Sequence, residues 1–325
     1  RDPEMSRGLG DVYKRQVNRL QTTERGWLMK VTDTLEFPDV QEILVKASTI
    51  DDVWDSLISW FSSDPANLDM AACANTLTEF NTMRDANVIV ELDRDVQEIK
   101  EVLRKISRRY GHIITVTRRQ KALIGVIAKM ILLIQRGEKQ GKNVFASLDG
   151  LKDFLGIRIV AQTGKKDTPE AQQMSYDIMN EVLRYLVVKK RNTLDVVEYD
   201  KTIRRDFEGI LIPKESGVLP PFKDNVKDYV FYIKEKKYQR LHAVPVNPQS
   251  RRKIEIQVGT QEMELRAEYD DETSHRTHKL LRYDGIEIPV NLNEVNIDGF
   301  TCLPDGTIYD RVGLVHAVDP LNLLR

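Results

Sequence analysis

Apolar positions along the chain follow two rhythms. Between residues 40 and 110 they recur every three or four positions. Val53, Trp54, Leu57, Ile58, Trp60 and Phe61 form a broad apolar face, and Leu92, Val96, Ile99, Leu103 and Ile106 form a narrower stripe. Both spacings predict amphipathic helices. Thr49-Ile50-Asp51-Asp52 has the spacing of a capping box with a carboxylate in the first turn, which sets the expected start of the first helix. Ser63-Asp64-Pro65 and Asp85-Ala86-Asn87 break the helical pattern. Trp54 and Trp60 stand at helical spacing among aliphatic residues and read as core. The same period returns in Gln120 to Arg136, through Leu123, Val126, Ile127, Met130 and Leu133, so a further helix is expected to start near Arg118.

The second rhythm is that of strands. Asp153-Phe154-Leu155-Gly156-Ile157-Arg158-Ile159-Val160 reads as the end of one element running into a strand. Thr168-Pro169-Glu170 then starts a helix, with Thr as N-cap and Pro in the first turn, and Met174, Ile178, Val182 and Leu186 form its apolar stripe. Thr193 to Tyr199 reads as another strand. Two strand-like runs flank Asn247-Pro248-Gln249-Ser250 as a hairpin with a longer loop. On its second run Ile254, Ile256 and Val258 alternate with Glu255 and Gln257, which puts both polar side chains on one face. Such a face meets bulk water or lines a cleft, and the strand by itself does not decide. The order strand, helix, strand, hairpin predicts an α+β fold, a mixed sheet flanked by helices. Between Asp200 and Asn225 a long connection carries Pro213, Gly217, Pro220 and Pro221, a length that is usually functional.

Composition narrows the class. In 325 residues, 30% are charged and the formal net charge is only -1, so any anion-binding surface must be local. Cys73 and Cys302 are too few for a disulfide framework, which suits a cytoplasmic protein. No apolar run reaches the roughly 18 residues of a membrane span, so no membrane partner is expected. The expected organisation is a non-native leader at 1–16, which resembles translated cloning sequence, a helical N-terminal module at 17–109, a mixed-sheet domain at 110–283 and a small β C-terminal appendage at 284–325.

Positive charge gathers around Arg108-Arg109, Arg118-Arg119, Lys121 and Lys129. A helix starting near Arg118 would aim its first amides and these cations at an anion; the alternative is a solvated basic face. Four strings then occur in order: Thr117-Arg118-Arg119-Gln120-Lys121, the Asp153 to Val160 run, Lys227-Asp228-Tyr229 with Lys237-Tyr238-Gln239-Arg240-Leu241-His242, and Ile254-Glu255-Ile256-Gln257-Val258-Gly259-Thr260-Gln261-Glu262-Met263. Together they resemble the synthetase domain of RelA/SpoT-type alarmone synthetases, over roughly Tyr110 to Tyr283.

The resemblance implies a nucleotidyltransferase-like mixed sheet. It also implies Mg²⁺-dependent transfer of pyrophosphate from ATP to the 3′-hydroxyl of GDP or GTP, making the alarmone (p)ppGpp. Transfer of so charged a group needs positioning and charge neutralisation more than covalent chemistry. Carried over by position, Asp153 and Glu255 are the catalytic pair and hold the metal, with Glu255 activating the attacking hydroxyl. Arg119, Lys121, Lys129, Arg158 and Lys227 take the ATP side. Lys234, Lys236, Tyr238, His242 and Gln257 take the acceptor side, with the Tyr238 ring stacked on the base. None of the five histidines stands in a His-Asp dyad, so the resemblance implies no accompanying hydrolase.

The chain also departs from the family pattern. Lys236-Lys237 stand where the family has Asn-Gly, Gly259 replaces an arginine, and Glu264 replaces a histidine. The extra lysines also suit a longer polyanion, which keeps open a toxin-like relative acting on the tRNA 3′ end or on adenosine nucleotides. The lost Gly and Arg keep open an inactive nucleotide-binding regulator. Oligomeric state is open.

Overall fold

The computed structural model describes residues 42–43, 46, 50–63, 71, 74–75, 77–78, 86–121, 126, 155–164, 166–195, 201, 207–233, 237–248, 253–269 and 294–309. At 50–51, 86–95, 119–121, 268–269 and 294–298 it describes the backbone alone. The chain divides into two units, one of residues 1–90, 122–151 and 279–293 and one of 91–121, 152–278 and 294–325. In the first, helix α1 (Ile50–Phe61) buries Val53, Trp54, Leu57 and Phe61, the face that the spacing predicts, while Trp60 is half-buried.

The second unit is built on β-branched runs. Ile113-Ile114-Thr115-Val116-Thr117 opens strand β1 (Ile113–Lys121), and the run from Leu155 to Gln162 is β2. They follow helix α2 (Ala86–Tyr110), whose Val96, Ile99, Leu103 and Ile106 are buried as the stripe predicts. Helix α3 (Pro169–Arg184) is capped by Thr168, whose hydroxyl accepts from the amide of Ala171, and Met174, Ile178 and Val182 are fully buried. Short strands β3 (Thr193–Leu194), β4 (Val226–Asp228), β5 (Leu241–Ala243) and β6 (Pro245–Val246) come next. They lead to β7 (Ile254–Thr260), helix α4 (Gln261–Tyr269) and strands β8 (Glu294–Cys302) and β9 (Ile308–Tyr309).

Seven strands form one mixed sheet in the order β4-β5-β7-β2-β1-β8-β9, with β2 and β7 parallel and the other pairs antiparallel. The α+β class, a mixed sheet flanked by helices, is therefore as expected, and β5 and β7 form the expected hairpin. Two expectations are corrected. Arg118, Arg119, Gln120 and Lys121 belong to a strand and not to a helix start. Their backbone pairs with β2 on one side and β8 on the other, so ladder bonds on both edges override the helical apolar period that follows. The C-terminal β segment is no separate appendage, because β8 and β9 continue the central sheet. Of the expected strand Thr193 to Tyr199, only Thr193–Leu194 pairs, with β6 in a second small sheet, and 196–199 lie outside the described residues. Among the described residues no helix is long and apolar enough to cross a membrane.

Register sorts the side chains by face. Asp228, Leu241, Val258 and Ile159 are partners across β4, β5, β7 and β2, and Tyr176 of α3 bonds Asp228, so α3 covers that face. The core lies there, where Ile159, Leu241, Ile256, Val258 and the α3 stripe are all fully buried. The opposite face carries the polar residues, and α4 packs over its end.

A joint ties α3 to the β7–α4 corner. The Thr260 hydroxyl bonds the Asp167 carboxylate, Glu262 accepts from the Asp167 amide, and Arg266 pairs with Glu262. Burial pushes Asp167 up to about 6; the Thr260 hydrogen bond opposes this, Glu262 adds to it, and Arg266 opposes it. The folded chain thus keeps this proton at a pH where the unfolded chain has lost it. Its contribution to stability is complete below pH ~4 and is lost as pH rises through about 6. The unfolding free energy of the parent chain minus that of Asp167→Asn should therefore fall by roughly 2–3 kcal/mol between pH 4 and pH 7. Urea titrations at the two pH values measure it, and parallel pH dependences would contradict the assignment.

Candidate active site

Strand alternation assembles the site. One row of backbone register runs Lys227, His242, Gln257, Arg158 and Thr117 across β4, β5, β7, β2 and β1. The next row on the same face pairs Glu255 with Gly156 and Gly156 with Arg119. Gly156 has no side chain, so the strand between Glu255 and Arg119 leaves that position open. Residues from four sequence strings thus meet on one face of five adjacent strands. Lys121 lies two positions beyond Arg119 on β1. Asp153, Lys129, Lys234 and Lys236 lie outside the described residues.

Hydrogen bonds connect the row. The Tyr238 hydroxyl is 2.8 Å from His242 Nε2, and His242 Nδ1 is 3.1 Å from Glu255 Oε1. An ionised carboxylate only accepts, so His242 donates from Nδ1 to Glu255; with the ring neutral, Nε2 accepts the hydrogen bond of the Tyr238 hydroxyl. Gln257 Nε2 donates to Glu255 Oε2 at 2.8 Å, and its Oε1 accepts from Arg240 at 3.0 Å. Arg240 also bonds Glu264 of α4, and Glu264 accepts from Arg158 at 2.8 Å. Both oxygens of Glu255 are therefore held, and its amide partner is oriented by a buried guanidinium. The question left open by the strand alone is answered: Gln257 is buried and the Glu255 side chain is only 17% exposed, so this face is not a bulk-water face.

Aromatic rings wall one end. Tyr229 meets Tyr238 edge-on at 6.0 Å and His242 at 5.6 Å, and the Arg240 guanidinium lies 5.9 Å from the Tyr238 ring. Lys237, before this tyrosine, has φ 61°, in the left-handed region where a non-glycine residue costs roughly 1–2 kcal/mol. The backbone shape that glycine favours is thus kept without glycine. Beside Gly259, Arg240 Cγ and Met263 Cβ lie 3.5 Å from where a Cβ would stand, so the Arg240 stem fills that space.

Among the described residues no three His, Cys, Asp or Glu side chains group as a metal set. The donor chemistry at Glu255 nevertheless suits a hard divalent cation. Its carboxylate is fixed by His242 and Gln257, and Mg²⁺ is bound through one or two such hard oxygen donors plus substrate phosphates.

Sequence reasoning missed Arg240, Glu264 and Asp228. Period two alone places Tyr238, Arg240 and His242 on one face, which was a usable signal for Arg240. Glu264 is brought in by α4, and nothing in the strand pattern announces it.

Residues 118–279 match the family model described as a region found in RelA / SpoT proteins. No curated protein matches the chain.

Proposed function

From the premise that residues 118–279 belong to the RelA/SpoT-type synthetase domain family, we propose that the chain transfers pyrophosphate from ATP to the 3′-hydroxyl of GDP or GTP. The observation that carries this reading is the row Tyr238–His242–Glu255–Gln257–Arg240, which lies in register with Arg158 and with the Arg119 strand position. It supplies a fixed carboxylate with cations on one side and an aromatic wall on the other.

Arg158, Arg119, Lys121 and Lys227 neutralise the triphosphate, because the transferred group carries charge that water would otherwise have to solvate. Tyr238 stacks the acceptor base, a contact of roughly 1–3 kcal/mol that tolerates different bases. His242, Gln257, Lys234 and Lys236 orient the acceptor. Glu255 takes the proton from the 3′-hydroxyl as its oxygen bonds the ATP β-phosphorus, the bond from that phosphorus to the α-phosphate oxygen breaks, and AMP leaves. Asp153 and Glu255 would hold Mg²⁺, which when bound supplies charge neutralisation between the nucleotide phosphates.

The test is product analysis after incubating the purified chain with Mg²⁺, ATP and GDP, GTP or tRNA as competing acceptors. The expected product is a guanosine nucleotide carrying a 3′-pyrophosphate, in step with AMP. Label appearing on tRNA alone would move the acceptor to the polyanion that Lys236 and Lys237 suit. No AMP with any acceptor would remove the reading.

A further inference from the structure

Arg240 is the most buried cation of the site face among the described side chains, 1% exposed, and it is bonded to both Gln257 and Glu264. Arg158 is 16% exposed, stands at the centre of the register row, and donates to the other oxygen of the same Glu264. One carboxylate thus bridges two guanidiniums, one on β2 and one just before β5, and it reaches them from α4, outside the sheet. Glu264 thus occupies a donor of each guanidinium in a poorly solvated place, where an arriving anion would compete with it. The geometry asks which guanidinium that anion would take. Arg240 is closed in and anchors Gln257, so Arg158 is the one a ligand can reach.

We propose that Glu264 is a resident anion that stands in for a substrate phosphate at Arg158, so that residue 264 sets how tightly the site holds polyphosphate. This rests on the reading of Arg158 as a triphosphate contact. A phosphate arriving at Arg158 exchanges with Glu264 Oε1. Glu264 keeps its bond to Arg240, and the ligand takes the Arg158 donor that Glu264 Oε1 releases. The exchange costs one charge-assisted hydrogen bond for each one formed, and net phosphate affinity is lower than the number of cations suggests. A purely structural Glu264 would act with the opposite sign: weakening it would disorder Arg158 and loosen the ligand.

The test is calorimetric titration of Glu264→Gln with inorganic triphosphate and with a non-hydrolysable ATP analogue, at low and at high salt. The substitution keeps an acceptor for Arg240 and removes the competing charge. Binding of both probes is expected to tighten about tenfold at low salt, with a steeper salt dependence. Glu264→Asp, one methylene shorter, keeps the charge but cannot bridge both arginines, and is expected to tighten binding less. Thermal melts of both variants establish that they are folded; if Glu264→Gln is not, the Asp variant carries the comparison. Unchanged or weaker triphosphate binding by a folded variant overturns the inference. Tighter binding in a chain that transfers no pyrophosphate would sink the proposed function and leave this inference standing. Weaker binding in a chain whose parent is active would do the reverse.

Discussion

Glu255→Gln is expected to slow pyrophosphate transfer by about 10²- to 10⁴-fold, the usual contribution of a positioned general base. The change keeps the size of the side chain and removes its charge. Glu255 accepts from His242 on one oxygen and from Gln257 on the other. An amide at this position can satisfy only one of these as acceptor and turns its own N–H₂ towards the other donor. Gln257 can flip to meet it only by releasing Arg240, which now reaches its carbonyl at 3.0 Å. The structural penalty is therefore the loss of one hydrogen bond, about 1 kcal/mol, small beside the kinetic one. Measuring AMP release with saturating ATP and acceptor, alongside a urea unfolding curve, separates the two. A variant with parental turnover contradicts the assignment of Glu255, and one that unfolds early shows the row to be structural.

The row was half legible in the sequence. Tyr238 and His242 were carried over from the family resemblance, whereas alternation in Ile254 to Val258 placed Glu255 and Gln257 together. That alternation is a local consequence of strand geometry, as Thr168 and the stripe Met174, Ile178, Val182 are local consequences of helix geometry. What failed was nonlocal. Arg118 to Lys121 read as a helix start because the apolar period of the following residues runs back into them. Their conformation is decided by ladder bonds to β2 and to β8, far away in the chain. The strands at Glu294 and Ile308 looked like an appendage for the same reason, since nothing short-range signals that an edge is paired. The bridge Arg158–Glu264–Arg240 joins three elements, and no one of them carries its pattern. Asp228 stands beside Lys227 on β4, and alternation sends it to the opposite face, into the core.

Asp228→Ala is expected to cost about 3–5 kcal/mol of stability, because it strands several buried donors at once. Asp228 is 2% exposed and accepts from Ser216 Oγ at 2.6 Å, from the Tyr176 hydroxyl at 3.0 and 3.1 Å, and from the amides of Val230 and Phe231 at 3.2 and 3.0 Å. Burial raises its pKa, and the Ser216, Phe231, Tyr176 and Val230 hydrogen bonds oppose that rise. The hydroxyls can turn elsewhere, but the two amides cannot. Asp228→Asn keeps an acceptor for the amides while the hydroxyls rotate to accept from its N–H₂, so its loss should be well under half as large. The carboxylate also holds the long connection against α3, where Asn180 bonds the Gly217 carbonyl and the Leu219 amide. A Cβ at Gly217 would stand 2.4 Å from Tyr176 Cγ, so Gly217→Ala must lift this segment or turn the ring, an overpacking cost of roughly 1–3 kcal/mol. Both changes disturb the corner that presents Tyr229 to Tyr238 and His242. The acceptor KM should therefore rise in both, while KM for ATP changes less. Urea midpoints that leave Asp228→Ala within about 1 kcal/mol of the parent would show that these buried amides find other partners, and the network would lose its assigned role.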